Sequence, residues 1–431
     1  MNRIPHNARW VIVSVNKPVM VHRSDDETWL LNPRRRYVLN AEVLRDLAEH
    51  IENLSDLQAA THYRPLHSAP TVRLPHSSLL IERYRDRGIG DLLFLTGPLA
   101  YLYHVTGNDI RCHLYAYADR GSVLNLCPYL VDGSPLVGPI LYDDLPMYDF
   151  HWFADTVTEY SEEPDQLNVY DALFRSLGID PENVDPRYKR PSAQLAPNET
   201  KALDDFYFWV YQNTATHLDL RKTGYYVIAP FSNSNLRSAK YHTWITVMNS
   251  LTQRRPVLLV GAMRERMPTT DMSPGEFVNI INSPEVQEST NGRIINLLGK
   301  TSVRNLMQLI SKANAVGSMD SAALYIAQAF RTPCVSLWGS HDPGVRIGYD
   351  NDYMRLAVWN QAACAHSPCF AWQGFPPSKC PNGAEQVICE CLQYADEREI
   401  LKRFDMIEAE RSMRFKAAKP KAEAPEKEVL V

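Results

Sequence analysis

A polar turn followed by a helix could bind a phosphate group within the stretch Ala313 to Arg346. Asp320 and Ser321 form the predicted turn, and the helix is predicted over Ala322 to Phe330. The first backbone N–H groups of a helix lack partners and lie at the positive end of its dipole, so they suit an anionic ligand. The alternative is an ordinary αβ unit in which Asp320 caps the helix.

The same stretch continues into a buried strand, Cys334 to Trp338, and then a polar loop, Gly339 to Arg346. In a parallel sheet this loop opens at the same edge as the Asp320 turn, where open α/β folds bind their ligands. His341 lies in the loop and is a candidate contact for a bound donor molecule. The stretch therefore predicts half of a nucleotide-type binding crevice.

A second candidate site is the glycine turn Gly88-Ile89-Gly90-Asp91. It joins a predicted strand, Leu79 to Tyr84, to an apolar helix that runs toward Val105. The glycines permit a close turn of the backbone and place Asp91 at or just inside the helix start. Without further context the pattern is short, and Asp91 fits a helix cap as well as a functional carboxylate.

Five of the eight cysteines fall in one short segment near the C-terminus. They are Cys364, Cys369, Cys380, Cys389 and Cys391. Clustered thiolates can hold structural zinc, but the spacing lacks the paired Cys-x-x-Cys knuckles typical of zinc sites. Free buried thiols or a redox-labile pair are therefore the favoured interpretation, with zinc as the alternative.

The overall composition is that of an ordinary soluble globular protein. The chain has 431 residues, of which 45% are hydrophobic and 22% charged, enough for roughly two to three domains. Its formal net charge of −5 gives no general attraction to nucleic acid or to an anionic membrane. We expect a cytoplasmic location, because the sequence shows no signal pattern, no membrane-spanning stretch and no disulfide framework.

Alternating strand and helix patterns predict two open-sheet α/β domains that face each other across a cleft. Short β-like runs and one amphipathic helix, Ala41 to Leu54, predict a small α+β module before them. The predicted boundaries are 1–75 for this module, 76–220 and 221–395 for the two open-sheet domains, 396–416 for a C-terminal helix and 417–431 for a disordered tail.

Several separated motifs together resemble glycosyltransferase family 9, the bacterial lipopolysaccharide heptosyltransferases. The similar segments are, in order, Gly88 to Asp91, Leu95 to Pro98, Leu298 to Ser302, Ala313 to Pro333 and Gly339 to Gly348. One such motif is weak evidence, whereas the ordered set is specific for a fold and a family. The resemblance implies a GT-B fold, in which an N-terminal Rossmann-like acceptor domain faces a C-terminal Rossmann-like nucleotide-sugar domain.

The resemblance also implies a reaction, the transfer of a sugar from a nucleotide-diphosphate sugar to an acceptor hydroxyl, with inversion and without a metal or other cofactor. Asp91 would be the general base, since an ordinary aspartate is ionised at pH 7 and can accept the hydroxyl proton. Gly88 and Gly90 would form the turn beside the acceptor. The residues that would contact the donor are Ser232, Asn233, Lys240, Glu265, Asp320, Ser321, Tyr325 and His341.

Three features depart from the family pattern at the predicted donor site. Ala322 and Tyr325 replace a glycine and a histidine, and the loop before Lys240 is about three residues longer than usual. The alanine methyl group narrows the approach to the backbone, and tyrosine donates a hydrogen bond but is not a cation near neutral pH. A changed donor, a changed sugar or a lost activity would each produce these differences.

Three interpretations of the function follow. The leading one is an active glycosyltransferase with an ADP-heptose-like donor and a glycan or glycolipid acceptor, peripheral at a membrane. The second is a GT-B-derived binding or structural protein without activity. The third is a glycosyltransferase whose N-terminal module, with the basic run Arg34 to Arg36, presents a nucleic acid base or a protein as the acceptor.

Overall fold

The structure is a computed structural model that describes part of the chain. Side chains are described for residues 89–105, 107, 168–195, 201–214, 217–232, 237–262, 270–359, 364–365, 367–369 and 391–414. Elsewhere, only the backbones of the strands and helix ends named below are described. The predicted helix Ala41 to Leu54 and residues 419–431 of the predicted tail lie outside the described residues.

The N-terminal part contains an antiparallel sheet, a hairpin and a parallel sheet. Its strands are β1 (Trp10–Ser14), β2 (Val19–Ser24), β3 (Glu27–Leu31), β4 (Arg36–Asn40), β5 (Gln58–Ala59), β6 (Ser78–Glu82), β7 (Arg111–Tyr115), β8 (Ile140–Leu141) and β9 (Phe150–Phe153). The antiparallel sheet has the order β5-β1-β4-β8, and β2 pairs with β3. The parallel sheet has the order β7-β6-β9, and the chain continues from β6 to the glycine turn.

Five helices are described in this part of the chain. They are α1 (Ile89–Phe94), α2 (Thr96–Val105), α3 (Val169–Ser176), α4 (Pro197–Asn213) and α5 (Leu220–Thr223). The prediction of one continuous helix from the glycine turn toward Val105 is wrong, because a turn at Leu95 separates α1 from α2. Pro98 explains the break, since proline fits the first turn of a helix but not its interior.

A six-stranded parallel sheet forms the C-terminal half. Its strands are β10 (Tyr226–Ala229), β11 (Val257–Leu259), β12 (Ile294–Asn296), β13 (Ala315–Met319), β14 (Cys334–Trp338) and β15 (Ala357–Trp359). The central strands are continuous buried runs, as expected where helices cover both faces of a parallel sheet. The order is β12-β11-β10-β13-β14-β15, so its direction reverses between β10 and β13, where such sheets bind ligands.

The helices of this half cover both faces of the sheet. They are α6 (Tyr241–Thr252), α7 (Pro274–Ile281), α8 (Pro284–Ser289), α9 (Val303–Lys312), α10 (Ala322–Phe330), α11 (Pro343–Ile347), α12 (Asn351–Met354), α13 (Glu390–Gln393) and α14 (Glu397–Ala418). On one face, α9 and α10 share a buried cluster with α1, α2 and α3. The two halves are therefore in direct contact through their cores.

The last helix, α14, packs on the other face of the sheet. Its Phe404 ring lies 5.4 Å from the ring of Tyr226, centroid to centroid, and Glu408 accepts a hydrogen bond from the Tyr226 hydroxyl at 2.8 Å. The helix continues to Ala418, beyond the predicted end at 416. Within the described residues, no helix combines the length and the apolar character needed to cross a membrane.

Candidate active site

The candidate site lies where the strand order of the six-stranded sheet reverses. Asp320 comes directly after β13, and the loop that carries Arg237 follows the neighbouring strand β10. Parallel strands place their carboxyl ends at the same edge, so these residues meet there. Arg237 Nη1 lies 3.7 Å from Asp320 Oδ2 and donates a hydrogen bond of 3.2 Å to the Asp320 backbone oxygen.

Asp320 is 3% exposed, and its carboxylate has close polar neighbours. The Tyr325 hydroxyl donates a hydrogen bond of 2.5 Å to Oδ1, and His341 Nδ1 lies 3.4 Å from Oδ2. The helix-cap interpretation of Asp320 is wrong, because Ser321 is the N-cap residue of α10. Ser321 makes no capping hydrogen bond through its side chain, whose hydroxyl lies 3.0 Å from the Ser318 hydroxyl.

The pKa values of this cluster are set by burial and by the neighbouring charges. Burial raises the pKa of Asp320, but the charges of Arg237 and Arg346 and the hydrogen bond from Tyr325 outweigh this effect, so the pKa lies below its ordinary value. Burial and the Asp320 charge raise the pKa of Tyr325 well above the usual range. Burial lowers the pKa of His341 well below its usual range. Near neutral pH, Asp320 is therefore ionised, Tyr325 protonated and His341 neutral.

A second carboxylate, Asp91, approaches this cluster from the N-terminal half. It lies in the first turn of α1, and its Oδ1 is 3.5 Å from Nη1 of Arg346, which is carried by α11. The Arg346 guanidinium also lies 5.7 Å from the centre of the Phe94 ring. Because Arg346 also lowers the pKa of Asp320, one buried guanidinium acts on both carboxylates.

Tyr325 joins the two halves beside Asp91. Its ring packs edge-to-face on Phe94 with a centroid distance of 4.6 Å. A Cβ atom added to Gly90 would lie 2.4 Å from Cδ2 of the Tyr325 ring, so a glycine is needed there for close approach. Tyr325 was predicted to contact the donor. In the structure it is buried between α1 and α10 and holds Asp320.

The loop predicted over Gly339 to Arg346 is partly helical, which corrects the prediction. Asp342 is the N-cap of α11, and its carboxylate accepts a hydrogen bond of 2.7 Å from the Gly344 N–H. Pro343 occupies the first position of the helix, where its fixed φ favours helix formation. His341 is buried just before this helix, with Nδ1 3.3 Å from the Ser340 hydroxyl.

Two other predicted donor contacts have neighbours of their own in the structure, and three lie outside the described residues. Lys240 is the N-cap residue of α6, and its ammonium lies 5.9 Å from the centre of the Tyr394 ring. Ser232 is buried, with its hydroxyl 3.3 Å from that of Ser238. The predicted residues outside the described part are Gly88, Asn233 and Glu265. Their roles remain predictions.

The cysteine cluster is described only in part. Cys364 and Cys391 are buried and Cys369 is half-buried. Cys380 and Cys389 lie outside the described residues. Among the residues that are described, no group of three or more histidine, cysteine and acidic side chains could hold a metal ion.

Sequence reasoning missed two cations, Arg237 and Arg346. Arg346 was noted as part of a motif but was not assigned to the site. Arg237 lies three residues before Lys240, and the loop before Lys240 is about three residues longer than the family pattern. That excess length is the signal that could have directed attention to position 237.

Comparisons with known proteins bear on the family and the fold. The model of glycosyltransferase family 9 (heptosyltransferase) matches residues 161–373. This range includes Arg237, Asp320 and Arg346, whereas Asp91 lies before it. Among proteins of curated function, none matches the sequence.

Solved structures share the fold at low sequence identity. Escherichia coli ADP-heptose lipopolysaccharide heptosyltransferase II is 14% identical with a TM-score of 0.53, covering 78% of this chain and 99% of its own. The iron-containing dodecameric glycosyltransferase TibC from enterotoxigenic E. coli is 13% identical with a TM-score of 0.51, and the match covers 94% of this chain and 92% of TibC. The structure of TibC in complex with ADP-D-β-D-heptose is 12% identical with a TM-score of 0.50, and the match covers 93% of this chain and 91% of TibC.

These likenesses support the predicted GT-B type of fold. A match over 94% of this chain cannot leave out all of residues 1–75, so part of the N-terminal region is included in the likeness to TibC. The motifs that first indicated a family also contain most of the residues that meet at the strand reversal, namely Asp91, Asp320, Tyr325, His341 and Arg346. The matching family model identifies residues 161–373 as similar to glycosyltransferase family 9 (heptosyltransferase).

Proposed function

We propose that the protein transfers a sugar from a nucleotide-diphosphate sugar of the ADP-heptose type to a hydroxyl of a glycan or glycolipid, with inversion. One observation carries the proposal, namely that Asp91 lies 3.5 Å from the buried guanidinium of Arg346, whose charge also lowers the pKa of Asp320, a carboxylate from a distant motif. The complex of TibC with ADP-D-β-D-heptose supports the donor class. The match of residues 161–373 to the family model supports the reaction class.

Asp91 is the proposed general base. In the transfer, the acceptor oxygen forms a bond to the anomeric carbon of the sugar while the bond to the diphosphate breaks. The acceptor proton passes to the Asp91 carboxylate, and the electron pair of the broken bond leaves with the diphosphate. The 17% exposure of the Asp91 side chain leaves room for an acceptor hydroxyl to reach it.

The leaving diphosphate gains negative charge, which positive groups on the donor side can stabilise without a metal. Arg237 is 30% exposed and adjoins the start of α10, so its guanidinium can reach a phosphate there. The backbone N–H groups at the start of α10 have no side-chain cap and carry the positive end of the helix dipole. These two features support phosphate binding beside Asp320.

Binding of the donor is tested first, with ADP-heptose beside UDP- and GDP-sugars at equal concentrations. A ligand that binds only the folded protein stabilises it by about 2.7 kcal/mol at 100 times its Kd, so the binding donor raises Tm. No change in Tm with any donor at millimolar concentration, in folded protein, would favour the non-catalytic interpretation.

Catalysis is tested with Asp91→Asn and a matched control, Asp171→Asn. Both carboxylates have side chains that are 17% exposed and pair with a buried cation, Arg346 for Asp91 and Lys189 for Asp171. We expect Asp91→Asn to lower kcat by about 100- to 10,000-fold, as for loss of a general base, and Asp171→Asn to retain transfer. Full transfer by folded Asp91→Asn would refute the assignment.

The stereochemistry of the product provides a separate test of inversion. A β-configured donor such as ADP-D-β-D-heptose should yield an α-linked product, which the anomeric proton signal identifies by NMR. A β-linked product would exclude single displacement.

A further inference from the structure

Arg346 is a buried cation carried by the C-terminal half but paired with a residue of the N-terminal half. It is 5% exposed, and its Nη1 lies 3.5 Å from Asp91 Oδ1. The guanidinium also contacts the face of Phe94, which lies on the same helix as Asp91. Arg346 thus meets both the carboxylate and the helix that carries it.

The helix that carries Arg346 is itself held against the N-terminal half. Before Arg346, the Asn168 side-chain amide donates a hydrogen bond of 2.9 Å to the Gly344 carbonyl. After it, the Tyr349 hydroxyl donates a hydrogen bond of 2.7 Å to Asp171. These contacts flank Arg346 in the chain, so the segment that carries it is attached to the N-terminal half at two points.

Arginine suits this position for a physical reason. Its guanidinium is planar, stays charged at every working pH and presents N–H groups in a rigid fork, so it fixes the direction of a carboxylate. A nearby positive charge also favours the ionised form of that carboxylate. An aspartate that removes a proton from an acceptor needs both properties.

We propose that Arg346 is a positioning residue for Asp91, holding the carboxylate ionised and directed toward the acceptor hydroxyl. The inference rests on the proposed function, in which Asp91 is the base. It differs from a role in donor binding, since a contact with the diphosphate would act chiefly on donor affinity.

The test compares Arg346→Gln and Arg346→Lys with the unaltered protein. For Arg346→Gln we expect kcat to fall about 10- to 100-fold, as for a misplaced catalytic group, with donor KM changed less than about threefold. The acid limb of the pH–kcat profile should move up by about 1 pH unit or more, because a cation beside the base is lost. Arg346→Lys should restore the acid limb to its original pH, because lysine also carries a positive charge. It should restore kcat only in part, since lysine lacks the rigid fork of N–H groups.

The other charged or titratable groups of the described cluster are Asp320, Tyr325, Arg237 and His341, which these variants leave in place. Tyr349→Phe is the matched control, because it removes a contact of the same segment with the N-terminal half without touching Asp91. Tyr349→Phe should leave kcat and the acid limb of the pH–kcat profile unchanged. If Tyr349→Phe lowered kcat as much as Arg346→Gln does, Arg346 would act only through the docking of α11.

Two further outcomes would overturn the proposal. A rise in donor KM with an unchanged pH profile would assign Arg346 to the diphosphate. A fall in Tm with an unchanged pH profile would make its role structural. Thermal denaturation of each variant distinguishes these cases.

Failure of the proposed function would be recognised separately. Protein labelled with ¹³C at the aspartate carboxyl carbons gives a signal for Asp91, identified by its loss in Asp91→Asn. If the unaltered chain transfers no sugar, the proposed function fails, but this signal still reports the ion pair. The Asp91 signal should titrate at higher pH in Arg346→Gln, and an unchanged titration would refute the inference.

Discussion

Replacing Tyr325 by phenylalanine removes one hydroxyl from the centre of the site. The hydroxyl donates a hydrogen bond of 2.5 Å to Asp320 Oδ1, and both residues are buried. A hydrogen bond to a charged group contributes about 1.5–3 kcal/mol, and a buried acceptor left without its donor is costly. We expect Tyr325→Phe to lower the free energy of unfolding by about 2–3 kcal/mol at pH 7.

The effect of this substitution should depend on pH in a defined direction. The pKa of Asp320 in the folded protein lies below its ordinary value of 3.8, so its ionised form stabilises the fold above about pH 4. That contribution is lost as the pH falls through the lower, folded pKa. Loss of the Tyr325 hydrogen bond raises this pKa and reduces the contribution. The stability difference between the two proteins should therefore narrow below about pH 4.

Urea denaturation followed by circular dichroism at several pH values measures this difference. The matched control is Tyr353→Phe, which also removes a buried hydroxyl, but one within 2.7–2.8 Å of the backbone carbonyls of Thr332 and Ala327. Its cost should be about 0.5–1.5 kcal/mol, as for a bond between neutral groups, and nearly constant over the same pH range. If both variants lost the same free energy of unfolding at every pH, the reasoning about Asp320 would be refuted.

Two other predictions concern packing and metal dependence. Gly90→Ala should lower Tm because its Cβ would lie 2.4 Å from Tyr325 Cδ2, an overpacking that costs about 1–3 kcal/mol. Gly275→Ala is its control, since Ser273 Oγ at 4.0 Å is its nearest neighbour, and equal Tm changes would argue against the close contact. Treatment with EDTA should leave sugar transfer unchanged, because Arg237 and the positive end of the α10 dipole supply positive charge where the diphosphate would lie. Transfer that stops with EDTA and returns with one added metal would contradict this prediction.

Local signals in the sequence predicted the central elements well. The predicted helix Ala322 to Phe330 and strand Cys334 to Trp338 agree with α10 and β14. Arg331 ends α10 with a positive φ, and the Thr332-Pro333 break follows. Such signals act over a few residues, so one sequence reveals them.

The contacts that build the site could not be predicted in the same way. Arg346 reaches Asp91 only because α11 docks on the N-terminal half, a packing between residues far apart in the chain. The loop prediction failed there because the Asp342-Pro343 helix start was overlooked. Motif alignment directed attention to Lys240, whereas tertiary packing brings Arg237 to Asp320.

Tyr325, the main departure from the family pattern, gains a physical explanation from these contacts. A histidine has an ordinary pKa near 6.5, so its charge and its donor capacity change within the physiological range. The pKa of the Tyr325 hydroxyl lies well above its usual range, because of burial and the Asp320 charge. It therefore donates to Asp320 throughout that range. Where the family pattern has a histidine, which titrates, this chain therefore has a hydrogen-bond donor that stays neutral, and the positive charge beside Asp320 comes from Arg237 and Arg346.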